Sequence, residues 1–241
     1  MKFKETIWLS ALLLAVVLYY FLVDIPFLKN KEDEKERAEK ILLFETKDVD
    51  EISIESPLQT KVLKRQASDT WELVKPLETK ADNDTAQALL SSLHDARFTK
   101  LVEENPENLA VYGLDTPSLK IVLKLKDEEK SVLLGDASPV GSSIYLKRGG
   151  ESKVLLAPAS RTRWDRSVYE LRDKTVLDFN ISDIATMEIR QAKKSIQFTQ
   201  TGNQWKVNNG SIEGKGDSSE ITGLLNFIRF AKIKTFVEEA P

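Results

Sequence analysis

The residues of this chain that could do chemistry are one histidine and two pairs of adjacent glutamates. His94 ends a predicted helix, and one isolated histidine cannot assemble a metal site or a catalytic relay. Glu103-Glu104 and Glu238-Glu239 could bind cations or act as acid and base. Neighbouring residues on an extended segment point to opposite faces, so we interpret both pairs as solvated carboxylates.

A loop of small residues, Gly135 to Ser143, is the second candidate. It resembles a phosphate-cradling loop only in its composition, because it lacks the Gly-Lys-Ser/Thr ending and a helix after it. The sequence therefore predicts a hairpin loop. Ser142 and Ser143 have no histidine in the order or local motif of a hydrolase, which argues against nucleophilic catalysis and disfavours an envelope hydrolase.

The remaining candidates are aromatic. Trp71 and Trp205 are predicted to be core residues, with stacking on a sugar ring as the alternative. The chain has no cysteine, which excludes disulfides, thiolate metal sites and attachment of a lipid at a lipobox. The sequence thus predicts no catalytic, cofactor-binding or metal-binding residue, and no cofactor.

The charge balance bears on the class of partner. Lysine and arginine number 35 against 38 aspartates and glutamates, for a formal net charge of −3. Binding to phosphate backbones needs accumulated positive charge, so nucleic acid is not an expected partner.

The elements that must position these residues occur twice, at a spacing of 135 residues. Phe44 to Val49 returns as Phe179 to Ile184 (179 − 44 = 135). Leu89-Leu90 and Leu224-Leu225 match at the same spacing, as do Leu101 to Pro106 and Phe236 to Pro241. Trp71 matches Trp205 at 134, because the second copy is one residue shorter between its Phe and its Trp. A repeat held in register predicts two copies that bury the same elements. The second copy stops in mid-motif, so either the gene product is shortened or the sequence is a fragment.

Each copy has the pattern of three short strands followed by a helix. Alternating apolar residues from Val49 to Val74 predict an antiparallel meander. Asp82 and Asp217 are predicted helix N-caps. The predicted apolar helix faces are Ala86, Leu89, Leu90 and Leu93, and Ile221, Leu224, Leu225 and Ile228. The alternation from Leu119 to Leu156 predicts a second antiparallel sheet, and a helix is predicted over 159–171.

The N-terminus carries an uncharged run from Ile7 to Val23. Its length is at the lower edge of what a spanning helix needs, so it predicts one transmembrane helix in contact with the bilayer. A cleavable signal peptide is disfavoured because bulky residues fill the stretch from Tyr19 to Val23, where small ones would be required. Lys2 and Lys4 predict a cytoplasmic N-terminus, with the bulk of the chain outside the bacterial inner membrane.

A nearly all-charged segment, 29–40, follows and is predicted to be a solvated, partly helical stalk, with docking on a partner as the alternative. The predicted organisation is an anchor at 1–28, the stalk at 29–40, a first repeat with an additional sheet at 41–171, and a truncated second repeat at 172–241. The expected fold class is α+β, with one N-terminal transmembrane helix followed by tandem repeats of β-meander plus helix.

Short motifs between residues 102 and 179 carry a resemblance to a known family. They are Val-Glu-Glu-Asn-Pro at 102–106, Tyr-Gly-Leu-Asp-Thr-Pro at 112–117, Leu-Leu-Gly-Asp at 133–136, Ile-Tyr-Leu at 144–146 and Leu-Arg-Asp-Lys-Thr-Val-Leu-Asp-Phe at 171–179. In this order they resemble the bacterial domain of unknown function 4340, over about Ile41 to Pro241. The resemblance implies a membrane-anchored protein encoded beside ABC-transporter subunits of the gliding-motility type, and it brings no catalytic residues.

These observations lead to one expected function and one alternative. The expected function is that of a non-catalytic, membrane-anchored periplasmic accessory subunit of an ABC-type transport or cell-envelope complex, with membrane proteins as partners. The alternative is a periplasmic module that binds an envelope glycan or lipid. Clustered exposed aromatics in a concave pocket would favour the binding module, and a flat apolar patch beside the stalk would favour the accessory subunit.

Overall fold

A computed structural model describes residues 13, 19, 20, 22, 34, 36–139, 141–158, 161–192 and 194–237. The chain divides into two compact units, unit 1 at 1–172 and unit 2 at 173–241. Each unit has its own hydrophobic core and its own antiparallel sheet.

Unit 1 is built on one nine-stranded antiparallel sheet. Its strands are β1 (Val49–Glu55), β2 (Thr60–Arg65), β3 (Trp71–Lys75), β4 (Thr79–Lys80), β5 (Lys100–Glu103), β6 (Leu119–Leu125), β7 (Glu129–Ala137), β8 (Ile144–Arg148) and β9 (Val154–Ala157). Their spatial order is β4-β3-β2-β1-β6-β7-β8-β9-β5. The predicted separate sheet is therefore wrong, because β1 pairs with β6 and joins the meander to the later strands.

The alternation of apolar residues explains which face of this sheet is buried. Ile52 of β1 lies between Leu63 of β2 and Leu123 of β6, and none of the three is exposed to solvent. Successive strand residues point to opposite faces, so this row shares one face and forms the centre of the core.

The first helix, α1 (Asn83–His94), begins and ends as predicted. The Asp82 carboxylate accepts a hydrogen bond from the backbone N–H of Thr85 at 2.9 Å, which satisfies one of the free donors of the first turn. The predicted apolar face is fully buried and joins the core of the sheet.

The predicted helix over 159–171 is wrong in one respect, because two short helices take its place. They are α2 (Arg161–Trp164) and α3 (Val168–Leu171). Ser167 starts α3 with a capping box to Glu170, and Asp165 and Arg166 form the break between the helices. We name residues 161–171 the covering segment.

Unit 2 repeats the first part of unit 1. Its elements are β10 (Thr186–Gln191), β11 (Lys194–Thr201), β12 (Gln204–Asn208), β13 (Glu213–Gly216) and α4 (Ser218–Arg229). The strands form a sheet in the order β10-β11-β12-β13. Asp217 caps α4 as Asp82 caps α1, and Trp205 of β12 is buried like Trp71 of β3, as the repeat predicts.

The predicted fold class is nevertheless wrong as a whole. The described chain is mostly antiparallel sheet with few helices, and α1 to α4 have only 12, 4, 4 and 12 residues. Among the described residues no helix is long and apolar enough to cross a membrane, so the predicted spanning helix is not supported. Apart from Leu13, Tyr19, Tyr20 and Leu22, the predicted span Ile7–Val23 lies outside the described residues.

The end of the predicted stalk is partly described. Residues 36–39 are helical, and 36–38 are exposed, as expected of a solvated segment. Glu36 forms an ion pair with Arg97 at 2.8 Å, and Arg148 donates hydrogen bonds to the carbonyls of Lys40 and Ile41. These contacts connect the segment to unit 1.

Candidate functional site

The His94 side chain makes structural contacts at the end of α1. Its Nε2 lies 3.0 Å from the Lys40 ammonium and its Nδ1 lies 2.9 Å from an oxygen of Asp95. An ammonium can only donate, so Nε2 accepts from Lys40 and Nδ1 carries the proton that Asp95 accepts. The imidazole also meets the Phe44 ring edge-on at 5.8 Å. Nε2 and the ring thereby connect the helix end to the segment before β1, whereas Nδ1 bonds Asp95, the C-cap of the helix.

The first glutamate pair was predicted to be solvated, which is correct for Glu104 and wrong for Glu103. Glu103 is half-buried and Glu104 is exposed. The Tyr112 hydroxyl donates to Glu103 Oε2 at 2.8 Å, and this hydrogen bond to a carboxylate raises the pKa of Tyr112. The Tyr112 ring packs edge-on against Tyr145 at 5.0 Å. Glu103 therefore joins two of the sequence motifs, whereas the second pair, Glu238-Glu239, lies outside the described residues.

The small-residue loop is a hairpin connection between β7 and β8, as predicted. Its closing hydrogen bond runs from the Ser138 N–H to the Ser143 carbonyl at 2.8 Å. Ser142 and Ser143 line a cavity of about 410 Å³ together with Asp136 and Arg161. This cavity offers hydroxyl, carboxylate and guanidinium groups, which can bind a small polar molecule but do not form a nucleophile with its base.

Two of the sequence motifs form a tight junction beside this loop. A Cβ placed on Gly135 would lie 2.0 Å from the Tyr112 carbonyl oxygen, and one on Gly113 would lie 2.6 Å from the carboxyl carbon of Asp136. Gly113 also has a φ of 66°, in the left-handed region that glycine tolerates best. The motifs at 112–117 and 133–136 thus meet closely, with Gly135 against the Tyr112 backbone and Gly113 against the Asp136 side chain.

The two tryptophans are core residues. Trp71 is 3% exposed and Trp205 is 4% exposed. The Arg65 guanidinium lies 4.6 Å from the centre of the Trp71 ring, and the backbone N–H of Trp71 donates to the Asn83 side-chain oxygen at 2.7 Å. Trp205 packs in the unit 2 core with Ile221 and Leu225.

Sequence reasoning missed a buried charge cluster in unit 1. Lys61 is only 5% exposed, and its ammonium donates to Asp165 at 2.5 Å and to the Arg166 carbonyl at 2.8 Å. Burial alone would raise the pKa of the Asp165 carboxyl, but hydrogen bonds and charge from Lys61 and Arg161 hold it below its usual value. A lysine at a core-facing position of a strand, two residues before Leu63, was the signal that could have revealed it.

The covering segment contacts β2 and α1 through two polar side-chain contacts, in addition to a backbone hydrogen bond from the Asp82 N–H to the Leu171 carbonyl. One is the Lys61 pair just described, and the other runs from the Trp164 indole N–H to the Ser92 hydroxyl at 3.1 Å. Trp164 is 1% exposed as a result. Lys61 of β2 and Ser92 of α1 therefore bind the covering segment through their polar side chains.

In unit 2 the corresponding positions are apolar and exposed. Lys61 corresponds to Ile196 and Ser92 to Phe227, both at the repeat spacing of 135. Ile196 is 38% exposed, Phe227 is 77% exposed, and Phe230 beside it is 66% exposed. We name Ile196, Leu224, Phe227 and Phe230 the unit 2 apolar surface. Leu224, Phe227 and Phe230 follow one another at a spacing of three residues, which places them on one side of α4 and its end.

The edge of the unit 2 sheet also differs from its counterpart. In unit 1, β1 lies between β2 and β6. In unit 2, β10 corresponds to β1 and pairs with β11 alone within the part of the chain that the structure describes. Its second edge therefore presents backbone donors and acceptors.

Residues 71–241 match the model of a protein family described as Domain of unknown function (DUF4340). The chain belongs to this family. The resemblance drawn from the motifs is thereby confirmed, and the matched range includes the glycine junction, the covering segment and all of unit 2. No curated protein matches the chain, and no solved structure matches it.

Proposed function

We propose that this chain is a non-catalytic accessory subunit of an ABC-type transport or cell-envelope complex, acting outside the cytoplasm. In this proposal the unit 2 apolar surface binds a protein subunit of that complex. The observation that carries the proposal is a difference between the two units. Lys61 and Ser92 bind the covering segment in unit 1, whereas the corresponding residues of unit 2, Ile196 and Phe227, are apolar and exposed.

The chemistry of this replacement indicates the kind of partner. Ile196 offers no ammonium at the position of Lys61, so a partner segment with a carboxylate like that of Asp165 would find no counter-charge there. Burying an unpaired carboxylate is costly, so the surface suits an apolar or aromatic partner segment. Burial of one phenylalanine side chain contributes about 1.5 to 3 kcal/mol, enough for Phe227 to be a principal contact.

The non-catalytic part of the proposal is supported by how the reactive groups are used. His94 is held between Lys40 and Asp95, and Glu103 accepts from Tyr112. Among the described residues, no three of the His, Asp and Glu side chains are arranged to hold a metal ion. His94 and Glu103 therefore have structural partners.

The alternative, a glycan- or lipid-binding module, receives less support. It predicts exposed aromatic rings in a concave pocket. Trp205 lines a cavity of about 420 Å³ on the outside of β12 and β13, but the side chain is 4% exposed and presents little ring surface to a sugar.

Co-purification from the native host tests the proposal. We expect the tagged full-length protein, extracted in detergent, to bring down an ABC-type transport or envelope subunit that mass spectrometry identifies. Phe227→Ser installs the residue that α1 carries at this position and should reduce recovery of that subunit about tenfold, since a central interface aromatic contributes above 1 kcal/mol.

Leu58→Ser is the matched control, because Leu58 is 91% exposed in unit 1 and lies outside the proposed surface. It should leave recovery unchanged. Equal recovery with Phe227→Ser and the parent protein, or recovery of no transport or envelope subunit, would overturn the proposal.

A further inference from the structure

One row of side chains on the unit 1 sheet alternates in charge from strand to strand. Glu51 of β1 lies opposite Lys64 of β2, Lys64 lies opposite Glu72 of β3, and Glu72 lies opposite Lys80 of β4. The Glu51 carboxylate is 3.5 Å from the Lys64 ammonium. Opposite charges on facing strands stabilise a sheet. The two acidic and two basic residues of this row cancel each other's charge.

The corresponding row of unit 2 consists of two threonines and two lysines. In strand order from β10 to β13, its members are Thr186, Thr199, Lys206 and Lys215. Each lies at the repeat spacing of 135 from its counterpart, except that Lys206 follows Glu72 at 134, as Trp205 follows Trp71 (206 − 72 = 134). The glutamate of β3 is thus replaced by a lysine on β12, and the row carries two positive charges and no negative one.

The two lysines of this row face each other without a partner. Lys206 and Lys215 lie directly opposite on adjacent antiparallel strands, and both are exposed. Like charges in this arrangement destabilise a sheet. Among the residues that the structure describes, neither ammonium forms an ion pair or a side-chain hydrogen bond. The unit 2 sheet therefore has a site where a negative charge would be stabilising.

The carboxylates nearby do not remove this excess charge. Asp217, two residues after Lys215, caps α4 by accepting from two backbone N–H groups of its first turn. Glu213 lies two residues before Lys215 and is exposed. One carboxylate against the two ammoniums of Lys206 and Lys215 still leaves one positive charge (2 − 1 = 1).

The position of the row explains why it is accessible. Lys80 of unit 1 is exposed although that sheet continues through β6 to β5, and β4 is its outermost strand. In the described part of unit 2, β13 is likewise the outermost strand. The exposure of Lys215 therefore reproduces that of its counterpart in the complete sheet of unit 1.

The chemistry of the row indicates the ligand. Lys206, Lys215 and Gln204 line the cavity of about 420 Å³ at β12 and β13. Adjacent strands are about 4.8 Å apart, so one anion reaches both ammoniums, and the Thr199 hydroxyl lies opposite Lys206 as a further donor. A phosphate monoester carries about 1.5 to 2 negative charges at pH 7 and three acceptor oxygens, which suits two lysines better than a singly charged carboxylate.

We propose that the outer face of the unit 2 sheet binds a phosphate group between Lys206 and Lys215. The phosphate is either a free ion or the monoester of a lipid headgroup, since both present the same oxygens. The site lies on β12 and β13 and is independent of the unit 2 apolar surface.

Isothermal titration of the full-length protein in detergent with inorganic phosphate, at constant ionic strength, tests the site. We expect the parent to bind and Lys206→Glu to bind at least tenfold more weakly. This variant removes one ammonium and places a carboxylate opposite Lys215, as Glu72 lies opposite Lys80 in unit 1. Its thermal unfolding should not begin at a lower temperature, because a repulsive pair becomes an attractive one.

Lys194→Glu is the matched control, because it makes the same charge change on an exposed residue of the same sheet. Lys194 is five residues before Thr199 on β11, which places it on the opposite face. This variant should bind phosphate like the parent. An absence of binding to the parent, or equal affinities in Lys206→Glu and Lys194→Glu, would overturn the proposed site.

Glycerol phosphate distinguishes the two sources of the phosphate group, because it presents the monoester of a lipid headgroup without acyl chains. Tighter binding of glycerol phosphate than of inorganic phosphate, lost in Lys206→Glu, would assign the site to headgroups. Equal or weaker binding would assign it to free phosphate. Binding of glycerol phosphate that Lys206→Glu leaves unchanged would contradict recognition through the two lysines.

Discussion

Lys61 and Asp165 show how a single pair of side chains connects distant parts of unit 1. The pair joins β2 to the break between α2 and α3, and both side chains are largely buried, at 6% and 17% exposure. Removing one member of such a pair leaves a charge in a poorly hydrated place, which costs more than the pair itself contributes.

The pH dependence of stability follows from the lowered pKa of Asp165. The unfolded carboxyl has its ordinary pKa of 3.8 and the folded one lies below it. Its stabilisation is therefore present above pH 3.8 and is lost as the pH falls through the folded pKa. We expect Lys61→Met to lower the free energy of unfolding by about 2 to 3 kcal/mol at pH 7, less than for a fully buried pair because Arg161 remains.

Urea unfolding over a pH series measures this effect. The difference between the parent and Lys61→Met should shrink as the pH falls below 3.8 and through the lowered folded pKa of Asp165, where the paired carboxylate becomes protonated. Lys64→Met is the control on the same strand, since the Lys64 side chain is 54% exposed and lies 3.5 Å from Glu51. A difference that stays constant with pH would show that the pair does not stabilise the fold as described.

At the scale of elements, the structure of unit 1 depends on connections that approach closely. The turn at 109–113 and strand β7 meet at Gly135, where the Tyr112 carbonyl occupies the space of a side chain. This contact positions the hairpin loop and, through the Tyr112 hydroxyl, the end of β5. Gly113 and Gly135 thus permit close packing that a larger residue at either position would disrupt.

Substitution of Gly135 tests this junction. We expect Gly135→Ala to reduce the free energy of unfolding by about 1 to 3 kcal/mol, because the new methyl group overlaps a backbone oxygen that cannot move independently. Thermal unfolding of the full-length protein provides the measurement. Gly214→Ala is the control, since a Cβ there meets nothing within 4 Å, and a loss of similar size in both variants would contradict the explanation.

At the scale of the whole molecule, the two units use one repeated plan in different ways. Unit 1 buries its helix beneath the covering segment and extends β1 with β6. In unit 2 the corresponding helix surface is exposed, and the corresponding strand lies at the edge of the described sheet. The proposed function uses the exposed helix surface of unit 2.

Complementation of a deletion strain tests which residues the cell requires. If the protein acts by binding rather than by chemistry, then His94→Ala and the double variant Glu103→Gln with Glu104→Gln should restore function. Phe227→Ser should fail to do so while accumulating normally. Full loss of function from His94→Ala in a protein that accumulates like the parent would reveal a catalytic role for the imidazole.

Local features of this protein could be predicted from its sequence. The strands from Val49 to Lys75, the caps at Asp82 and Asp217, and the hairpin loop before Ile144 all depend on residues close in the chain. Periodicity, capping and turn chemistry act over a few residues, so their patterns can be recognised in the sequence before the fold is known. The family motifs could also be recognised because each of them is a short stretch of consecutive residues.

Only the tertiary structure decided which of these elements meet. The pairing of β1 with β6 and the contact of Lys61 with Asp165, 104 residues apart, depend on which edges and faces come together. The exposure of Ile196 and Phe227 likewise depends on what covers them, because an apolar residue has the same sequence pattern whether its face is covered or open. Local composition determines the individual helices and strands. The burial of charged side chains and the pairing of strand edges depend on how those elements pack together.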